Sequence, residues 1–350
     1  MDGSPLLGVF FHWLGGVSSA SFYVPYKRIK LWSWEIFWLT GGVFSWLLVP
    51  WLIASIQTNN LLGVLSQAPF TTLLWCWFWG AMWGFGGLTF GLTMHYLGLS
   101  LGMAVVLGLT TVIGTMGPPI FHGTMGSLAT SIGGRFTLLG IVMTLLGIWV
   151  VFNAGKAKEK DLDARDNQSI AKFDLRKGLL IAGFSGVMSG CFAFGLDAGQ
   201  PIRDLAIAAG TNKLWQGLPV LCVVLVGGFT TNFIWCLYLI RKNKSGAEFT
   251  GNGNAEGANL LLNYSLAILG GTLWYFQFFF YTMGESQMGK YGFSSWTLHM
   301  ASIILFSTLW GFALKEWTGA SSYTRKLVWI GIGLLVGSTI VIGLGNMLLA

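Results

Sequence analysis

Long apolar stretches recur along the whole chain and are separated by short polar segments. A membrane-spanning helix needs roughly 20 mostly apolar residues, and ten stretches of this kind can be recognised. They lie at about 5–25, 34–56, 70–94, 98–117, 135–153, 178–197, 216–240, 259–283, 292–314 and 326–348. A tight turn at 96–98 is expected to separate the third stretch from the fourth. The pattern predicts an all-α polytopic membrane protein with ten transmembrane helices.

The basic residues are sorted between the predicted loops. Of the 20 Lys and Arg residues, 16 fall in the odd-numbered loops, and only Arg135, Arg203, Lys213 and Lys290 lie on the other side. Cytoplasmic loops of membrane proteins carry an excess of Lys and Arg. The odd-numbered loops are therefore expected in the cytoplasm, with both termini on the outer, periplasmic side. A miscounted helix would scramble this sorting, so the asymmetry also supports the count of ten.

The two halves of the chain share a pattern of small motifs. A hydrophilic segment, 156–177, is predicted to be a cytoplasmic linker between a first repeat, 1–155, and a second, 178–350. Four motifs recur in the same order: Gly16-Val17-x-Ser19-x-x-Phe22 as Gly186-Val187-x-Ser189-x-x-Phe192, Gly41-Gly42 as Gly227-Gly228, Gly80-x-x-Trp83-x-Phe85 as Gly271-x-x-Trp274-x-Phe276, and Gly147-x7-Gly155 as Gly337-x7-Gly345. Because five helices is an odd number, the second copy must enter the membrane from the opposite side. The pattern predicts two inverted five-helix repeats, as in many alternating-access carriers.

Composition supports the membrane assignment. Hydrophobic residues make up 54% of the chain and charged residues only 9%, whereas a soluble domain has about 25% charged residues. The net charge of +7 does not indicate a nucleic-acid partner, because the basic residues lie in short loops where they set orientation. All four cysteines fall inside apolar stretches, which favours reduced packing residues over disulfides. The first stretch follows no basic segment and is expected to be a retained helix.

The eighth stretch carries the clearest candidate for a binding site. Trp274, Gln277, Tyr281 and Glu285 are spaced 3, 4 and 4 residues apart, so they share one helical face. Aromatic rings can stack on the C–H surface of a sugar while amide and carboxylate groups bond its hydroxyls. The alternative is that these residues only pack against a neighbouring helix. Further candidate substrate-binding residues in other stretches are His12, Ser19, Tyr23, Trp79, Trp83, Asn232 and His299.

A second group of candidates can exchange protons. With the predicted orientation, His12, Asp197, Glu285 and His299 lie at similar depth near the outer side of the membrane. Burial disfavours a charged carboxylate, and histidine exchanges protons near neutral pH. Glu35, at the cytoplasmic edge of the second stretch, is expected to pair with the basic cluster that contains Arg28 or, alternatively, to act as an inner gate or proton relay. No metal-ligand spacing is found, and neither a metal nor a cofactor is expected.

Four segments of the chain resemble the bacterial L-rhamnose–proton symporters of the drug/metabolite transporter superfamily. They are GVFFHWLGGVSSASFYVPYKRIKLWSWE (8–35), WGAMWGFGGLTFGLTMHYLGLSLGMA (79–104), GGTLWYFQFFFYTMG (270–284) and SSWTLHM (294–300). The resemblance implies ten helices, an inner-membrane location and co-transport of L-rhamnose with a proton. The family pattern matches here at His12, Glu35, Gln277 and His299. The chain departs from it at Glu285, where a histidine can occur in the family, and at Asp197, where the family has an amide.

These observations predict a secondary active transporter, and not an enzyme, that imports L-rhamnose or a related 6-deoxy sugar with a proton by alternating access. The expected partners are the sugar, the proton and the lipid bilayer, with the chain acting as a monomer. Two alternatives stay open. One is a metabolite exporter or exchanger on the same fold, and the other is a polytopic membrane enzyme. The enzyme is disfavoured because no nucleophile or base with an orienting partner is visible.

Overall fold

The computed structural model describes residues 4–163, 175–289, 292, 294–315 and 317–348. Every regular element within these residues is a helix. The α-helices are α1 (Pro5–Ser21), α2 (Tyr23–Tyr26), α3 (Trp34–Val43), α4 (Val49–Gln57), α5 (Leu61–Gln67), α6 (Phe70–Phe121), α7 (Met125–Thr130), α8 (Ile132–Asp163), α9 (Leu175–Ala198), α10 (Gln200–Ala208), α11 (Leu218–Asn243), α12 (Leu260–Gln287), α13 (Ser294–Ala313) and α14 (Ser322–Met347). A π-helical turn, Phe44–Leu48, joins α3 to α4, and short 3-10 turns lie at Lys213–Trp215, Ser245–Thr250 and Gly253–Ala255.

Seven helices in the described part of the chain are long and apolar enough to cross a membrane. They span Trp34–Gln57, Ile132–Lys158, Arg176–Ala208, Lys213–Asn243, Leu260–Gln287, Ser294–Ala313 and Ser322–Gly345. An eighth is obtained if Leu61–Gln67 and Phe70–Phe90, bent by 104°, count as one broken span. These seven coincide with seven predicted stretches. The all-helical polytopic class is confirmed, while the count of ten and the inverted arrangement stay predictions.

Helix α6 differs from the predicted pair of helices at 70–94 and 98–117. The backbone is helical from Phe70 to Phe121 without the predicted break at 96–98. The residues around that position include glycines but no proline, so every one of them keeps the N–H that the helix requires. The 52 residues would extend about 78 Å at 1.5 Å per residue. That length exceeds twice a bilayer core of about 30 Å, so α6 contains enough helix for two crossings.

Helix α8 also continues beyond its predicted end. It reaches Asp163, ten residues past the expected boundary at 153 and into the predicted linker. Seven of the ten added residues are Ala, Lys, Glu or Leu, which have high helix propensity. The linker therefore begins as a charged extension of a helix and not as irregular chain. The remainder of the linker up to residue 174 lies outside the described residues.

The helices pack into two compact units. Unit 1 consists of Met1–Val17, Gly86–Phe194 and Met283–Ala350, and unit 2 of Ser18–Phe85 and Gly195–Thr282. Each unit therefore takes segments from both predicted repeats. In unit 1, α8 and α14 pack side by side, with Thr144 Oγ1 donating to Ser338 Oγ at 2.9 Å. In unit 2, α3 packs against α11.

Large apolar side chains remain exposed on the helices of both units. Leu180 on α9 and Trp329 on α14 are more than half exposed, as are Leu52 and Ile56 on α4. Monomeric soluble proteins rarely expose wide apolar patches. Such side chains on long apolar helices suit contact with lipid.

Candidate functional site

A small pocket lies inside unit 2. It is lined by Phe22, Tyr26, Trp38, Gly41, Gly42, Ser45, Trp46 and Trp274. Five of these eight residues are aromatic, and the space between them has room for about one water molecule. We call this cavity the aromatic pocket. Its walls can enclose one small chemical group between aromatic rings.

The shape of the aromatic pocket depends on a distortion between α3 and α4. Pro50 has no N–H to donate to the carbonyl of Trp46, four residues earlier, and its ring crowds that carbonyl. The backbone forms the π-helical turn Phe44–Leu48 at this position. Turns of this type inside α-helices are frequent at functional sites. The distortion carries Ser45 and Trp46, which form part of the pocket wall.

Several polar atoms at the aromatic pocket and on α12 are buried without a hydrogen-bond partner among the described residues. They are Ser45 Oγ, Trp46 Nε1, Trp274 Nε1, Tyr275 Oη and Gln277 Nε2. Leaving a buried donor or acceptor unpaired costs about 1–3 kcal/mol. A polar ligand group in the aromatic pocket could provide a partner for the atoms that belong to its lining residues. The first three belong to the pocket lining, so the pocket combines aromatic walls with hydrogen-bonding groups.

The predicted face of the eighth stretch lies on α12. Gln277 and Tyr281 are each only 3% exposed, and Trp274 is half-buried. The ring of Trp274 packs on Phe22, with ring centroids 4.2 Å apart. These three residues belong to unit 2, whereas Glu285 belongs to unit 1. The Trp274–Tyr281 part of the face is thus directed into the protein and not toward lipid.

Asn232, a predicted substrate ligand, has its side-chain amide engaged in the protein. Its Oδ1 accepts from Trp38 Nε1 at 3.0 Å, and its Nδ2 donates to the carbonyl of Gly228 at 2.9 Å. Asn232 therefore fixes Trp38, which lines the pocket. Trp83 does not line the pocket, but it packs on the lining residue Trp46, with ring centroids 6.2 Å apart.

Three other predicted ligands in unit 2 lie elsewhere. Ser19 is buried, whereas Tyr23 is 48% exposed and packs on Phe22 with ring centroids 4.4 Å apart. Trp79 stacks on Trp75 of its own helix at 6.0 Å. None of the three belongs to the lining of the aromatic pocket. Their roles as sugar ligands stay predictions.

Two predicted residues meet in unit 1. The imidazole rings of His12 on α1 and His299 on α13 have centroids 6.2 Å apart and are inclined by 60°. Both side chains are almost completely buried, at 0% and 1% exposure. Gly284 on α12 lies directly against the His12 ring, because a Cβ at that position would approach His12 Nε2 to 2.7 Å. The half-buried Glu285 follows Gly284 in α12.

The fourth member of the predicted titratable group lies in the other unit. Asp197 is half-buried near the end of α9 and belongs to unit 2. His12, Glu285 and His299 belong to unit 1. The structure thus brings His12 and His299 together and places Glu285 next to the glycine that contacts His12.

Two buried carboxylates lie at the start of α3. Glu35 accepts at Oε1 from Asn243 Nδ2 at 2.9 Å and from Ser245 Oγ at 2.8 Å, and its expected pairing with the basic cluster that contains Arg28 stays a prediction. Glu248 accepts from the backbone N–H of Ser33 at 2.6 Å and from its hydroxyl at 2.7 Å. Negative charge is stabilised at a helix N-terminus. Both carboxylates therefore lie at the positive end of α3 and accept hydrogen bonds, which offsets the cost of burying them.

Sequence reasoning missed most of the aromatic pocket. Phe22, Tyr26, Trp38, Ser45 and Trp46 were not among the predicted ligands, and Trp274 was. Available signals were Pro50, which marks the distortion, and the Gly41-Gly42 pair beside the pocket. Glu248 was also missed, because its loop gave no sign of burial. Among the described residues, no cluster of three His, Cys, Asp or Glu side chains could hold a metal ion.

Known proteins resemble the chain over almost its full length. The profile of the L-rhamnose-proton symport protein family matches residues 1–348. The L-rhamnose-proton symporter of Escherichia coli O1:K1 / APEC is 34% identical over 346 residues, which cover 99% of each chain. The L-rhamnose-proton symporter of Shigella dysenteriae serotype 1 (strain Sd197) is 35% identical over 346 residues, again 99% of each chain. The chain therefore belongs to the L-rhamnose-proton symport protein family, a family of transporters and not of enzymes.

Proposed function

We propose that the protein imports L-rhamnose together with a proton by alternating access. The observation that carries this proposal is the aromatic pocket of unit 2, where buried hydrogen-bonding groups lie among aromatic rings. The full-length match to the L-rhamnose-proton symport protein family supplies the substrate and the coupling ion. The pocket has room for only one small group, so a whole sugar can enter only after unit 2 opens. Alternating access requires a transporter to open its substrate site to each side of the membrane in turn, and this motion would admit the sugar.

The sugar site is proposed to combine the aromatic pocket with the buried face of α12. Trp274 provides an aromatic surface, and Gln277 provides an amide whose Nε2 has no hydrogen-bond partner among the described residues. Tyr281 lies one turn further along the same helix and is also buried. Ligand sites typically combine apolar walls with a few placed polar groups. L-rhamnose, L-lyxose and L-fucose would all present suitable hydroxyls, so the choice among them requires a direct measurement.

The proton is proposed to bind in unit 1, with Glu285 as the first candidate and the His12–His299 pair beside it. Two charged imidazoles at a separation of 6.2 Å would repel each other by about 3 kcal/mol at an effective dielectric constant of about 20. The pair therefore favours one positive charge over two. Asp197 and Glu35 follow as weaker candidates. The hydrogen bonds from Asn243 and Ser245 already give Glu35 a structural role.

Coupling to protons is energetically sufficient for accumulation. A neutral sugar gains nothing from the membrane potential, but each accompanying proton gains about 2.3 kcal/mol per 100 mV. That free energy corresponds to a concentration ratio of roughly 50. One proton per sugar would therefore support substantial uptake against a gradient.

The architecture is proposed to be ten helices in two inverted repeats. Glycine contacts in unit 2 support the symmetry. On α12, Gly271 lies against the carbonyl of Gly41 on α3, and Gly228 on α11 lies 3.5 Å from the carbonyl of Gly80 on α6, measured from an ideal Cβ. The proposed repeats equate Gly271 with Gly80 and the Gly41-Gly42 pair with Gly227-Gly228. Exchanging the two proposed repeats therefore turns the crossing of α12 with α3 into the crossing of α6 with α11.

The cellular setting is proposed from the charge sorting and the relatives. Sixteen of the 20 basic residues lie in loops assigned to one side, which places that side in the cytoplasm. The protein would then span a bacterial inner membrane as a monomer with both termini outside. Its repeats would comprise 1–155 and 178–350, with the linker 156–177 in the cytoplasm.

Uptake into vesicles tests the proposed function. Purified protein is reconstituted, and entry of labelled L-rhamnose is measured with and without an inward pH gradient. We expect accumulation only with the gradient, and loss of accumulation when an uncoupler collapses it. An exporter or exchanger on the same fold would show counterflow that does not respond to pH. Sugar entry that is unaffected by the gradient would contradict symport.

A further inference from the structure

We propose that Ser45 and Trp46 are specificity-determining residues that donate hydrogen bonds to one hydroxyl oxygen of the bound sugar. This inference rests on the proposed function, because it names the part of the sugar that the aromatic pocket recognises. The pocket has room for a group about the size of one water molecule. A single sugar hydroxyl has this size.

The polar atoms of the two residues require a partner. Ser45 is 1% exposed and Trp46 is 3% exposed. Neither Ser45 Oγ nor Trp46 Nε1 has a hydrogen-bond partner among the described residues. Phenylalanine in place of Trp46 and alanine in place of Ser45 would fill similar space without burying an unpaired donor. A polar ligand group that enters the pocket would give both atoms the partner they lack.

The chemistry of the lining favours recognition of oxygen lone pairs. An indole N–H can donate a hydrogen bond but cannot accept one. Trp46 and Trp274, each with an indole N–H, line the pocket together with Ser45. The lining contains no carboxylate or side-chain amide, and its side-chain acceptors are the hydroxyls of Ser45 and Tyr26, which can also donate. The pocket is therefore expected to recognise its occupant mainly as a hydrogen-bond acceptor.

The indole of Trp46 is held in place by its neighbours. Its ring centroid lies 6.0 Å from that of Trp38, 6.2 Å from Trp83 and 6.4 Å from Phe229. Trp38 is in turn fixed by its hydrogen bond to Asn232. The π-helical turn supplies both Ser45 and Trp46. A donor fixed before the ligand arrives loses little conformational freedom on binding, which favours selectivity.

Sugar analogues can test the acceptor role directly. At each of the ring positions C2, C3 and C4, the hydroxyl of L-rhamnose is replaced by hydrogen or by fluorine. Fluorine can accept a weak hydrogen bond but cannot donate one, whereas hydrogen can do neither. Competition of each analogue with labelled L-rhamnose is measured by counterflow in vesicles that contain the full-length protein. At one position the fluoro analogue should compete several-fold better than the deoxy analogue.

Two variants then assign this preference to the pocket. Trp46→Phe and Ser45→Ala should each weaken competition by L-rhamnose about 5- to 150-fold. In both variants, the fluoro and deoxy analogues of that ring position should compete almost equally, so that the ratio of their affinities approaches one. Matched controls come from the same unit. Trp235→Phe changes an indole on α11 that is 44% exposed, and Ser55→Ala changes an α4 hydroxyl that donates to the Leu52 carbonyl. Both controls should leave affinity and ratio unchanged.

The outcomes separate the two proposals. Wild-type affinity and an unchanged analogue ratio in both variants would overturn this inference alone, since the pocket would then hold a water molecule and no sugar oxygen. If Trp46→Phe does not fold, the smaller Ser45→Ala change decides the question by the same ratio. Absence of L-rhamnose counterflow by the wild-type protein would overturn the proposed function and this inference with it.

Discussion

The hydrogen bond between Trp38 and Asn232 allows a direct test of how the aromatic pocket is organised. Trp38 Nε1 donates to Asn232 Oδ1 at 3.0 Å, and Asn232 is 3% exposed. One N–H of the Asn232 amide donates to the Gly228 carbonyl. We therefore expect Asn232 to influence sugar binding through the position of Trp38 and not by touching the sugar. The perturbation is a double-mutant cycle with Trp38→Phe and Asn232→Ala.

The expected magnitude follows from the energetics of one buried hydrogen bond. A neutral intramolecular hydrogen bond contributes about 1 kcal/mol net, and removing one partner costs about 1–3 kcal/mol. Each single variant should weaken L-rhamnose binding, because each releases the Trp38 ring from its fixed position. In the Trp38→Phe background, Asn232→Ala should have little further effect. The coupling energy should then equal the loss caused by Asn232→Ala alone, about 1–3 kcal/mol, within the range for residues in contact.

Calorimetric titration of the purified variants with L-rhamnose measures the four affinities of the cycle. A matched control is Thr230→Val on the same helix, where Thr230 accepts from Trp77 Nε1 at 3.3 Å away from the pocket lining. That control should bind L-rhamnose like the wild type. Additive losses for Trp38→Phe and Asn232→Ala would refute the reasoning, and would indicate that Asn232 contacts the sugar independently.

Four further outcomes are expected. Gln277→Ala should weaken L-rhamnose binding about 5- to 150-fold, because it removes one buried hydrogen-bonding group; unchanged affinity in titrations would remove α12 from the site. Glu285→Gln should retain counterflow but lose accumulation driven by a pH gradient, whereas normal accumulation would move the proton to His12 or His299. Glu248→Ala should lower thermal stability in detergent, because two short hydrogen bonds from Ser33 disappear at about 1.5–3 kcal/mol each; an unchanged melting temperature would argue against a stabilising role for Glu248 at the start of α3. Reporter fusions after position 165 should report cytoplasm and those at 125 the outside, and the reverse result would invert the topology.

Candidate site residues could be predicted from the sequence where polarity conflicts with an apolar surrounding. Gln277 and His299 are conspicuous because polar side chains are rare in membrane helices, and both are buried in the structure. The same reasoning could not recognise Trp46 or Phe22, because an aromatic residue in an apolar helix is ordinary whether it faces lipid or a ligand. The sequence also could not show that the Asn232 amide is bonded to Trp38 and Gly228, and its role as a sugar ligand stays a prediction.

The amino-acid pattern alone predicts the membrane-helix class, because apolar runs long enough to cross a bilayer are visible in one dimension. It also indicated the transporter family, through local motifs that need no knowledge of packing. The folded structure was needed to show that α6 continues through 96–98 and that His12 meets His299 across more than 280 residues of chain. It alone placed Ser45 and Trp46 on a π-helical turn beside Trp274. Helix length and polarity are local properties, whereas a site depends on which helix faces meet, and that is set by the packing of side chains distant in sequence.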